Sequence, residues 1–300
     1  MSMRGEPIEP DEDAVAPTGR FRIYLGAVAG VGKTCSMLDE GWRRFQRGSD
    51  VVVGFVETHG RAHTAEQIRD LEVVPRRKVA YRGSEFEEMD LEAVIARAPE
   101  VALVDELAHT NVPGSGEHGK RWEDVLSLLD AGIAVITTVN IQHLESLADA
   151  VEKITRVQVR ERVPDWVVRR ADQIELIDSS PEQLRRRMLH GNIYPAPKVA
   201  DALSHFFRTE NLVALRELAL RFVADETEED LLDYLRHAHP DAVWDTSERI
   251  LVAVTASPGI DGVMRRAARI AARVKGDLHA VLVSSGDATS GRSFDVDALR

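Results

Sequence analysis

Three things are scarce in this sequence: cysteine, long hydrophobic runs and a surplus of positive charge. Cys35 is the only cysteine, so no disulfide can form within the chain, and the reducing cytoplasm is the expected location. The apolar runs, such as residues 51–56, are far shorter than the ~20 residues that a membrane helix needs. We therefore expect no membrane contact from this segment. The formal net charge of −12 argues against general affinity for nucleic acid.

The first residues of the chain also lack an apolar segment, so they are not a secretory signal. Residues 1–19 are acidic and contain proline, and we interpret them as a disordered tail. The whole chain is 44% hydrophobic and 29% charged, which is typical of a soluble protein. Its 300 residues are enough for a full core and for more than one domain.

Residues 21–178 alternate short apolar runs with longer polar-faced segments. This pattern predicts an α/β fold of the P-loop NTPase type, with a mostly parallel sheet and helices on both faces. Most runs are β-branched and nearly continuous, as in strands that are buried on both faces. The predicted strands are residues 21–25, 51–56, 78–81, 101–104, 133–139, 157–159 and 174–177.

The pattern becomes helical from Pro181. Ser180 is a good helix N-cap, and Pro181 suits the first helical position. We interpret residues 181–235 as a helical layer that is docked on the sheet and completes a first domain, residues 20–235. The alternative is a lever that carries a nucleotide signal onward. Apolar residues further along share one helix face: Leu212, Leu215, Leu218 and Phe222.

A second α/β unit is predicted after a polar linker, residues 236–248. Residues 249–300 read as a strand, a turn, an amphipathic helix and a strand. Two strands and one helix cannot bury an independent core. The unit is therefore either an addition to the first domain or an incomplete domain.

A phosphate-binding loop is predicted in the string GAVAGVGKTC, residues 26–35, directly after the first strand. In a Walker A loop, backbone N–H groups and a helix N-terminus surround the phosphates. Gly30 and Gly32 allow the close backbone approach that this requires. Lys33 would place its ammonium on the β- and γ-phosphates, and Thr34 would offer its hydroxyl to Mg²⁺.

The loop departs from the usual pattern at Ala27, where glycine is expected. Alanine is tolerable there if the residue keeps a negative φ, and we expect a minor variation. Cys35 would pack as a small residue of the following helix. The residues predicted to bind the nucleotide are Ala27, Val28, Ala29, Gly30, Val31, Gly32, Lys33, Thr34 and Cys35.

A Walker B strand is predicted at VALVDE, residues 101–106. Asp105 would hold Mg²⁺ opposite Thr34. Glu106 would lie near the γ-phosphate, where a carboxylate orients or deprotonates an attacking water. Alone, two acids after a strand are weak evidence, and the alternative is an acidic N-cap for the following segment. Together with the loop they predict that the chain binds ATP or GTP with Mg²⁺, and Lys33 and Glu106 are the candidate catalytic residues.

Further polar residues follow other strands, at the sheet edge where open α/β folds bind ligands. Asn140 or Gln142 is a candidate γ-phosphate sensor, with helix capping as the alternative. The glycine-rich segment 105–121 is interpreted as a loop over the nucleotide, and Arg61 and Arg121 are candidates for an arginine finger. The remaining polar residues of this group are Glu57, Thr58, His59, Thr137, Thr138, His143, His109, His118 and Lys120.

Taken together, these strings resemble the KdpD family, the potassium-responsive sensor histidine kinases of bacteria. The resemblance covers roughly residues 20–285 and implies a cytoplasmic ATP-binding domain, with residues 27–34 and Asp105 at the nucleotide. It also implies that a universal-stress-protein-like domain begins after residue 248. It rests on the strings GAVAGVGKT, GFVETHGR, LVDELAHTNVPGS, KRWEDVLSLLDAGIAVITTVNIQHLESL, VPDWVVRRADQIELID and NLVALRELALR.

In that family these modules precede four transmembrane helices, a GAF domain and a histidine kinase core that works as a dimer in the plasma membrane. These 300 residues contain no phosphoacceptor histidine box and no kinase glycine boxes. We therefore expect the N-terminal portion of such a sensor, with a short natural homologue as the alternative. The implied partners are the rest of the kinase, its response regulator and the potassium-transport complex.

Some family members bind cyclic di-AMP in the second module, through a Ser-x-Ser pair and a Phe-Thr-Ala-x-Tyr string. Here Thr255-Ala256-Ser257 falls at the first pair, and the second string falls on residues 278–282, where only Ala280 agrees. Because the stacking aromatic residues are missing, the sequence argues against cyclic di-AMP binding.

Three functions are compatible with these observations. The first is a regulatory module in which bound ATP shifts a conformational equilibrium of an attached sensor kinase. Such control requires different ATP affinities in the two states. The second is an enzyme, either an ATPase that uses Glu106 or a P-loop kinase that passes the γ-phosphate to a protein hydroxyl. The third is a docking platform whose helical layer binds a partner protein. We favour the first.

Overall fold

The computed structural model describes residues 19–238, 249–254, 260–274 and 276–282. The chain forms two compact units, residues 1–226 and 227–300. The predicted tail, apart from residue 19, and most of the predicted linker lie outside the described residues, so their limits stay predictions. In the described ranges, no helix has both the length and the apolar character that a bilayer-crossing segment needs.

The first unit alternates strands and helices along most of its length. A short 3₁₀ turn, Ile141–His143, follows the seventh strand. The elements up to residue 238 are β1 (Phe21–Gly26), α1 (Lys33–Gln46), β2 (Val51–Phe55), α2 (Ala62–Glu66), β3 (Glu72–Val73), β4 (Arg77–Tyr81), β5 (Ser84–Glu88), α3 (Leu91–Arg97), β6 (Val101–Val104), α4 (Arg121–Asp130), β7 (Ala134–Asn140), α5 (Glu145–Thr155), α6 (Asp165–Arg169), β8 (Gln173–Ile177), α7 (Pro181–Leu189), α8 (Ala196–Ser204) and α9 (Thr209–Ala238).

Six of these strands form one parallel sheet, in the order β3-β2-β6-β7-β1-β8. The predicted α/β fold with a parallel sheet is confirmed. The order places β7 between β1, which leads into the predicted phosphate loop, and β6, which leads into Asp105. The carboxyl ends of all six strands meet at one edge, where open α/β sheets bind ligands.

Helices cover both faces of the sheet, because the central strands send apolar side chains alternately to either side. On β1, Ile23 and Leu25 pack into one hydrophobic cluster, which also contains apolar side chains of α4 and α5. Tyr24, between them, packs into a second cluster, on the face that α1 covers. The loops at the carboxyl edge are therefore fixed from both sides.

The apolar side chains of α1 are buried to different degrees. Met37 and Leu38 are fully buried, and Trp42 packs against the same cluster. Phe45, at the end of the helix, is 41% exposed. It stacks on Trp42 at the surface, with 5.4 Å between ring centroids.

The helical layer is docked on the sheet, as the favoured interpretation predicts. Ser180 caps α7, its hydroxyl accepting from the Gln183 N–H, and Pro181 takes the first helical position. Phe207, Leu212 and Leu215 are almost completely buried in the cluster that also contains Ile23 and Leu25 of β1. The layer is thus part of the core of the first unit.

Two predicted strands are wrong as members of the parallel sheet. Residues 78–81 belong to β4, which pairs antiparallel with β5 in a separate hairpin. Arg82 and Gly83 at its tip both have positive φ, 49° and 80°, as a tight type I′ turn requires. Residues 157–159 form no strand. That β-branched run packs as irregular chain, with Val159 buried and Val157 exposed.

The described part of the second unit is one β-α-β unit, as predicted. β9 (Arg249–Val254) and β10 (Asp277–Leu282) pair in parallel, and α10 (Ile260–Val274) lies between them in the chain. Val252, Val254 and Ala267 form its small buried cluster. Residues 255–257, which align with the first cyclic di-AMP string, lie outside the described residues.

Candidate functional site

The loop between β1 and α1 contains two glycines in left-handed conformation. Gly30 has a φ of 86° and Gly32 a φ of 115°, values that residues with a Cβ disfavour. Gly32 is also the N-cap of α1, so the loop ends on the unpaired N–H groups of a helix start. Ala27 is 5% exposed, and its φ is not positive. Its methyl group packs in the core, and the backbone there needs no glycine.

Lys33, at the start of α1, points back into this loop. The side chain is almost completely buried, and its ammonium donates to Asn140 Oδ1 at 2.5 Å and to the Val28 carbonyl at 3.4 Å. Burial lowers the pKa of Lys33 to about 8, although Asp105 and Glu106 oppose the shift. The ammonium therefore lies in a site where a negative ligand would restore the lost solvation.

Asp105, after β6, lies against the first turn of α1. Its carboxylate accepts hydrogen bonds from the Thr34 hydroxyl, at 3.1 and 3.3 Å, and from the Thr138 hydroxyl at 2.5 Å. The residue is 2% exposed, and this burial raises the pKa of Asp105. Carboxylate and hydroxyl oxygens are ligands of the kind that Mg²⁺ prefers. The donor set at this edge fits that ion.

Glu106 and His59 face each other across the same edge. His59 Nε2 lies 3.3 Å from Glu106 Oε1, and the Glu106 N–H donates to Thr138 Oγ1 at 3.2 Å. Burial raises the pKa of Glu106, but the hydrogen bond and charge of His59 outweigh it, so that pKa lies below its usual value. Both residues have left-handed backbones, with φ of 58° and 50°, a strained conformation that is concentrated at functional sites.

One cavity of about 130 Å³ collects these groups at the carboxyl ends of β1, β2, β6 and β7. Lys33, Thr34, Asp105 and Glu106, predicted from separate strings, thus lie together. Sequence reasoning missed Glu161, whose carboxylate accepts the Thr110 N–H at 2.9 Å. The lining residues are Ala29, Gly30, Lys33, Thr34, His59, Arg61, Asp105, Glu106, Ala108, His109, Thr138, Val139, Asn140, His143 and Glu161.

Several predicted residues do not line this cavity. Ala27, Val28 and Val31 are buried in the hydrophobic core, so their side chains serve packing. Cys35 lines a larger neighbouring cavity. Gln142 lies outside, with its amide nitrogen 3.2 Å from His143 Nε2, so Asn140 is the better-placed of the two sensor candidates.

Segment 105–121 does not cover the cavity beyond His109, because it folds back on itself. Lys120 Nζ donates to the Thr110 hydroxyl at 2.7 Å, and a ring nitrogen of His118 lies 3.0 Å from Ser127 Oγ on α4. The interpretation of the whole segment as a loop over the nucleotide is therefore wrong for its second half.

Arg121 is not an arginine finger, because it is fully buried behind the site. It donates to Glu88 Oε2 at 2.8 Å and to the Asp105 carbonyl at 3.3 Å, and its guanidinium carbon lies 3.8 Å from the centroid of the Phe55 ring. Sequence reasoning missed Glu88, since nothing local distinguishes it from Glu87 before it. Arg61, the other candidate, does line the cavity.

Glu88 is the centre of a buried set of donors. Besides Arg121, it accepts from His109 Nε2 at 2.8 Å and from the Val112 N–H at 3.0 Å. Burial raises the pKa of Glu88, but these donors outweigh it and hold that pKa below its usual value. Through Arg121, which also donates to the Asp105 carbonyl, the set is tied to the chain that leaves β6.

A family model matches most of the first unit. It is described as the osmosensitive K⁺ channel His kinase sensor domain, KdpD, and it matches residues 17–227. The matched range contains the whole parallel sheet, the cavity, α7, α8 and α9 as far as residue 227.

Sensor proteins from several bacteria are similar to the chain over nearly all of its length. It is 52% identical over 282 residues to Sensor protein KdpD of Mycobacterium tuberculosis (strain ATCC 25618 / H37Rv), covering 94% of this chain and 33% of that one. It is 46% identical over 289 residues to Sensor protein KdpD of Escherichia coli (strain K12), covering 94% and 32%. The chain thus spans about a third of the length of these relatives.

The chain covers a larger share of a shorter relative. The chain is 48% identical over 266 residues to Putative sensor protein KdpD of Synechocystis sp. (strain ATCC 27184 / PCC 6803 / Kazusa). That match covers 89% of this chain and 70% of the relative.

Proposed function

The chain belongs to the KdpD family, and we propose that its first unit is the ATP-binding regulatory module of a KdpD-type sensor histidine kinase. Residues 27–34 and Asp105 bind Mg·ATP at the carboxyl edge of the sheet, and occupancy of the site shifts the kinase between two states. The response under control is that to potassium limitation and osmotic stress, which agrees with the description of the matching family model.

The observation that carries this proposal is the convergence of Lys33, Thr34 and Asp105 on one small cavity. The Thr34 hydroxyl and the Asp105 carboxylate are already in contact, so both can hold one Mg²⁺ ion. When bound, the ion supplies positive charge against the β- and γ-phosphates. The ammonium of Lys33, whose acceptors among the described residues are neutral oxygens, supplies the second positive charge on the phosphates.

The regulatory role follows from thermodynamic linkage. Binding at the site can shift a kinase between two states only if one state binds ATP more tightly than the other. We infer that the partners are the rest of the sensor kinase, its response regulator and the potassium-transport complex. The module faces the cytoplasm, and the full-length protein is a membrane-bound dimer.

A second candidate is catalysis by the same site, either ATP hydrolysis or transfer of the γ-phosphate to a protein hydroxyl. Glu106 favours it, because this carboxylate lines the cavity directly after Asp105 and is held by His59. Such a group is placed to act as general base for water or a hydroxyl. Arg61 lines the same cavity and is the cation available to the transferred phosphoryl group.

Binding and turnover by three proteins separate the candidates: the wild type, Lys33→Ala and Glu106→Gln. Calorimetry gives the Mg·ATP affinity, and a phosphate-release assay gives the turnover. We expect the wild type to bind with negligible turnover, Lys33→Ala to bind at least ~100-fold more weakly, and Glu106→Gln to bind as the wild type does.

Steady turnover in the wild type that Glu106→Gln loses while still binding Mg·ATP would establish the catalytic candidate instead. If the wild type gives no heat with Mg·ATP, both candidates fail.

A further inference from the structure

A second, larger cavity adjoins the one that collects Lys33 and Asp105. Its volume is about 760 Å³, and it lies between the start of α1, residues 59–64 and residues 190–195, which we call the α7–α8 loop. The two cavities share five lining residues: Gly30, Lys33, Thr34, His59 and Arg61. A ligand held at the shared residues can therefore extend from one cavity into the other.

The sizes of the two cavities suit different parts of a nucleotide, the smaller one the phosphates and the larger one the nucleoside. Sites for small organic ligands usually measure roughly 300–1,000 Å³. The smaller cavity, at about 130 Å³, is below that range and is lined mainly by charged and polar groups. The larger one, at about 760 Å³, is within it.

The walls of the larger cavity suit a nucleoside. The α7–α8 loop contributes Ile193, which is 2% exposed, Tyr194, which is half-buried, and Pro195, which is exposed. The ring of Tyr194 is itself held edge-on against Phe207 of the helical layer, with 5.8 Å between centroids. Asn192 adds amide donor and acceptor groups of the kind that pair with the polar edge of a base.

The α7–α8 loop is fastened to the phosphate loop itself. Arg187, near the end of α7, donates to the carbonyls of Gly30 and Val31 at 2.9 and 3.2 Å. A Cβ on Gly30 would lie 2.3 Å from Ile193 Cδ1, so the two loops are in direct contact. Arg61 donates to the Ile193 carbonyl at 2.6 Å. The wall is thus held in place relative to the phosphates before any ligand arrives.

We propose that the larger cavity receives the nucleoside half of the nucleotide, with the base against the wall of Ile193, Tyr194 and Pro195. This inference rests on the proposed function, since it assigns the triphosphate to the smaller cavity. It makes the helical layer part of the binding site: the base contacts α7–α8 directly, and these helices share their packing with α9.

The test compares Mg·ATP with Mg·tripolyphosphate, which carries the same phosphates without a nucleoside. Titration calorimetry on the 300-residue chain gives both affinities. We expect the wild type to bind Mg·ATP at least about tenfold more tightly than Mg·tripolyphosphate.

Two variants address the wall directly. Tyr194→Ala and Asn192→Ala should each weaken Mg·ATP binding at least about fivefold and leave Mg·tripolyphosphate within about twofold of the wild type. Asn192 is exposed, so this variant keeps the test decisive if Tyr194→Ala, which removes packing from Phe207, does not fold. The matched control is Leu189→Ala, at the exposed end of α7 and outside the cavity lining, which should change neither affinity.

Each alternative result is distinct. Equal affinity of the wild type for the two ligands would overturn the inference and leave the phosphate site intact. The inference would also be overturned if Tyr194→Ala and Asn192→Ala lowered the affinities for both ligands equally. It would be overturned as well if both variants kept both affinities unchanged while the wild type still preferred Mg·ATP. If neither ligand binds, the proposed function itself fails, and this inference fails with it.

Discussion

Two clusters of buried charge meet at Asp105. Burial disfavours the charged forms in both, but the two clusters differ in the partners that their charged groups have. In the phosphate cluster, which we define as Lys33, Thr34 and Asp105, burial lowers the pKa of the ammonium to about 8 and raises that of the carboxyl. Both charged forms are therefore less favourable here than in water. The ammonium donates only to neutral oxygens.

The support cluster, which we define as Glu88, His109 and Arg121, is equally buried at its centre but supplies its own counter-charges. The guanidinium of Arg121 bonds Glu88 at 2.8 Å, and the net result is a lowered pKa for that carboxyl. Burial by itself thus does not distinguish a binding site from a structural ion pair. The distinguishing property is a buried charge that makes no direct ion pair.

The largest loss of stability should come from removing Arg121 from the support cluster. Arg121→Met would leave the carboxylate of Glu88 buried without its cation, and we expect a loss of ~3–5 kcal/mol in the free energy of unfolding. Urea denaturation measures it. The control is Arg97→Met, which removes an equally well-bonded arginine whose partners Asp50 and Glu72 are exposed, and which should change stability far less. Equal losses of stability in the two variants would show that burial of the ion pair of Arg121 and Glu88 contributes nothing beyond an exposed pair.

Removing the charge of Lys33 from the phosphate cluster should cost little stability but much Mg·ATP affinity. Lys33→Met removes a buried ammonium that donates only to neutral oxygens and makes no direct ion pair, so we expect at most ~1 kcal/mol of lost stability, from the acceptor left on Asn140. Mg·ATP affinity should fall at least ~100-fold, about 2.7 kcal/mol. Urea denaturation and calorimetry on the same preparation check both values. A variant that unfolds like Arg121→Met would show that Lys33 is structural.

Acid should weaken the support cluster through Glu88. Its pKa is lower in the folded protein than the ordinary value of 4.5, so the unfolded chain binds this proton more readily. The stabilisation is therefore complete above pH of about 4.5 and is lost as the pH falls through the folded-state pKa. Glu88→Gln should cost about 2 kcal/mol at neutral pH.

The same variant should also flatten the acid limb of the stability curve, measured by urea denaturation from about pH 7 to about pH 3. Asp90→Asn, another carboxylate bonded to an arginine but less buried, is the control and should keep most of that limb. An acid limb in Glu88→Gln as steep as in the wild type would contradict the assignment.

The smallest effect is expected at Ala27, which lies next to the phosphate cluster in the loop. Ala27 stands where glycine is usual, yet its backbone needs no left-handed conformation. Ala27→Gly should therefore leave the Mg·ATP affinity within about twofold and lower stability by less than about 1 kcal/mol, through chain entropy and the lost methyl group. A marked gain in affinity would mean that the methyl group obstructs the phosphates.

The phosphate loop could be predicted from the sequence because its determinants are local. Gly30, Gly32, Lys33 and Thr34 stand within five positions, and the backbone and helix start that they form depend on little else. The cap of α7 is local in the same way, since Ser180 bonds the N–H of Gln183 three positions later. Their contact with Asp105 followed from the parallel sheet, which brings strand ends to one edge.

The support cluster and the nucleoside wall could not be predicted, because their contacts join distant parts of the chain. Glu88 meets Arg121 33 residues later, and Arg187 meets Gly30 157 residues earlier. The separate antiparallel hairpin of β4 and β5 was not predicted for another reason. Its alternation of charged and apolar residues is a strand signal, but nothing in it says that the strand leaves the parallel sheet.

The hydrogen bonds from Arg187 end on carbonyl oxygens of the main chain at residues 30 and 31. These contacts act on the main chain and do not use the side chain of residue 31, which packs separately in the hydrophobic core. At position 187 the side chain itself is needed, because only a long side chain with several N–H groups spans the gap and serves two carbonyls at once. The main-chain position of the phosphate loop is thus held by a residue far from it in the sequence.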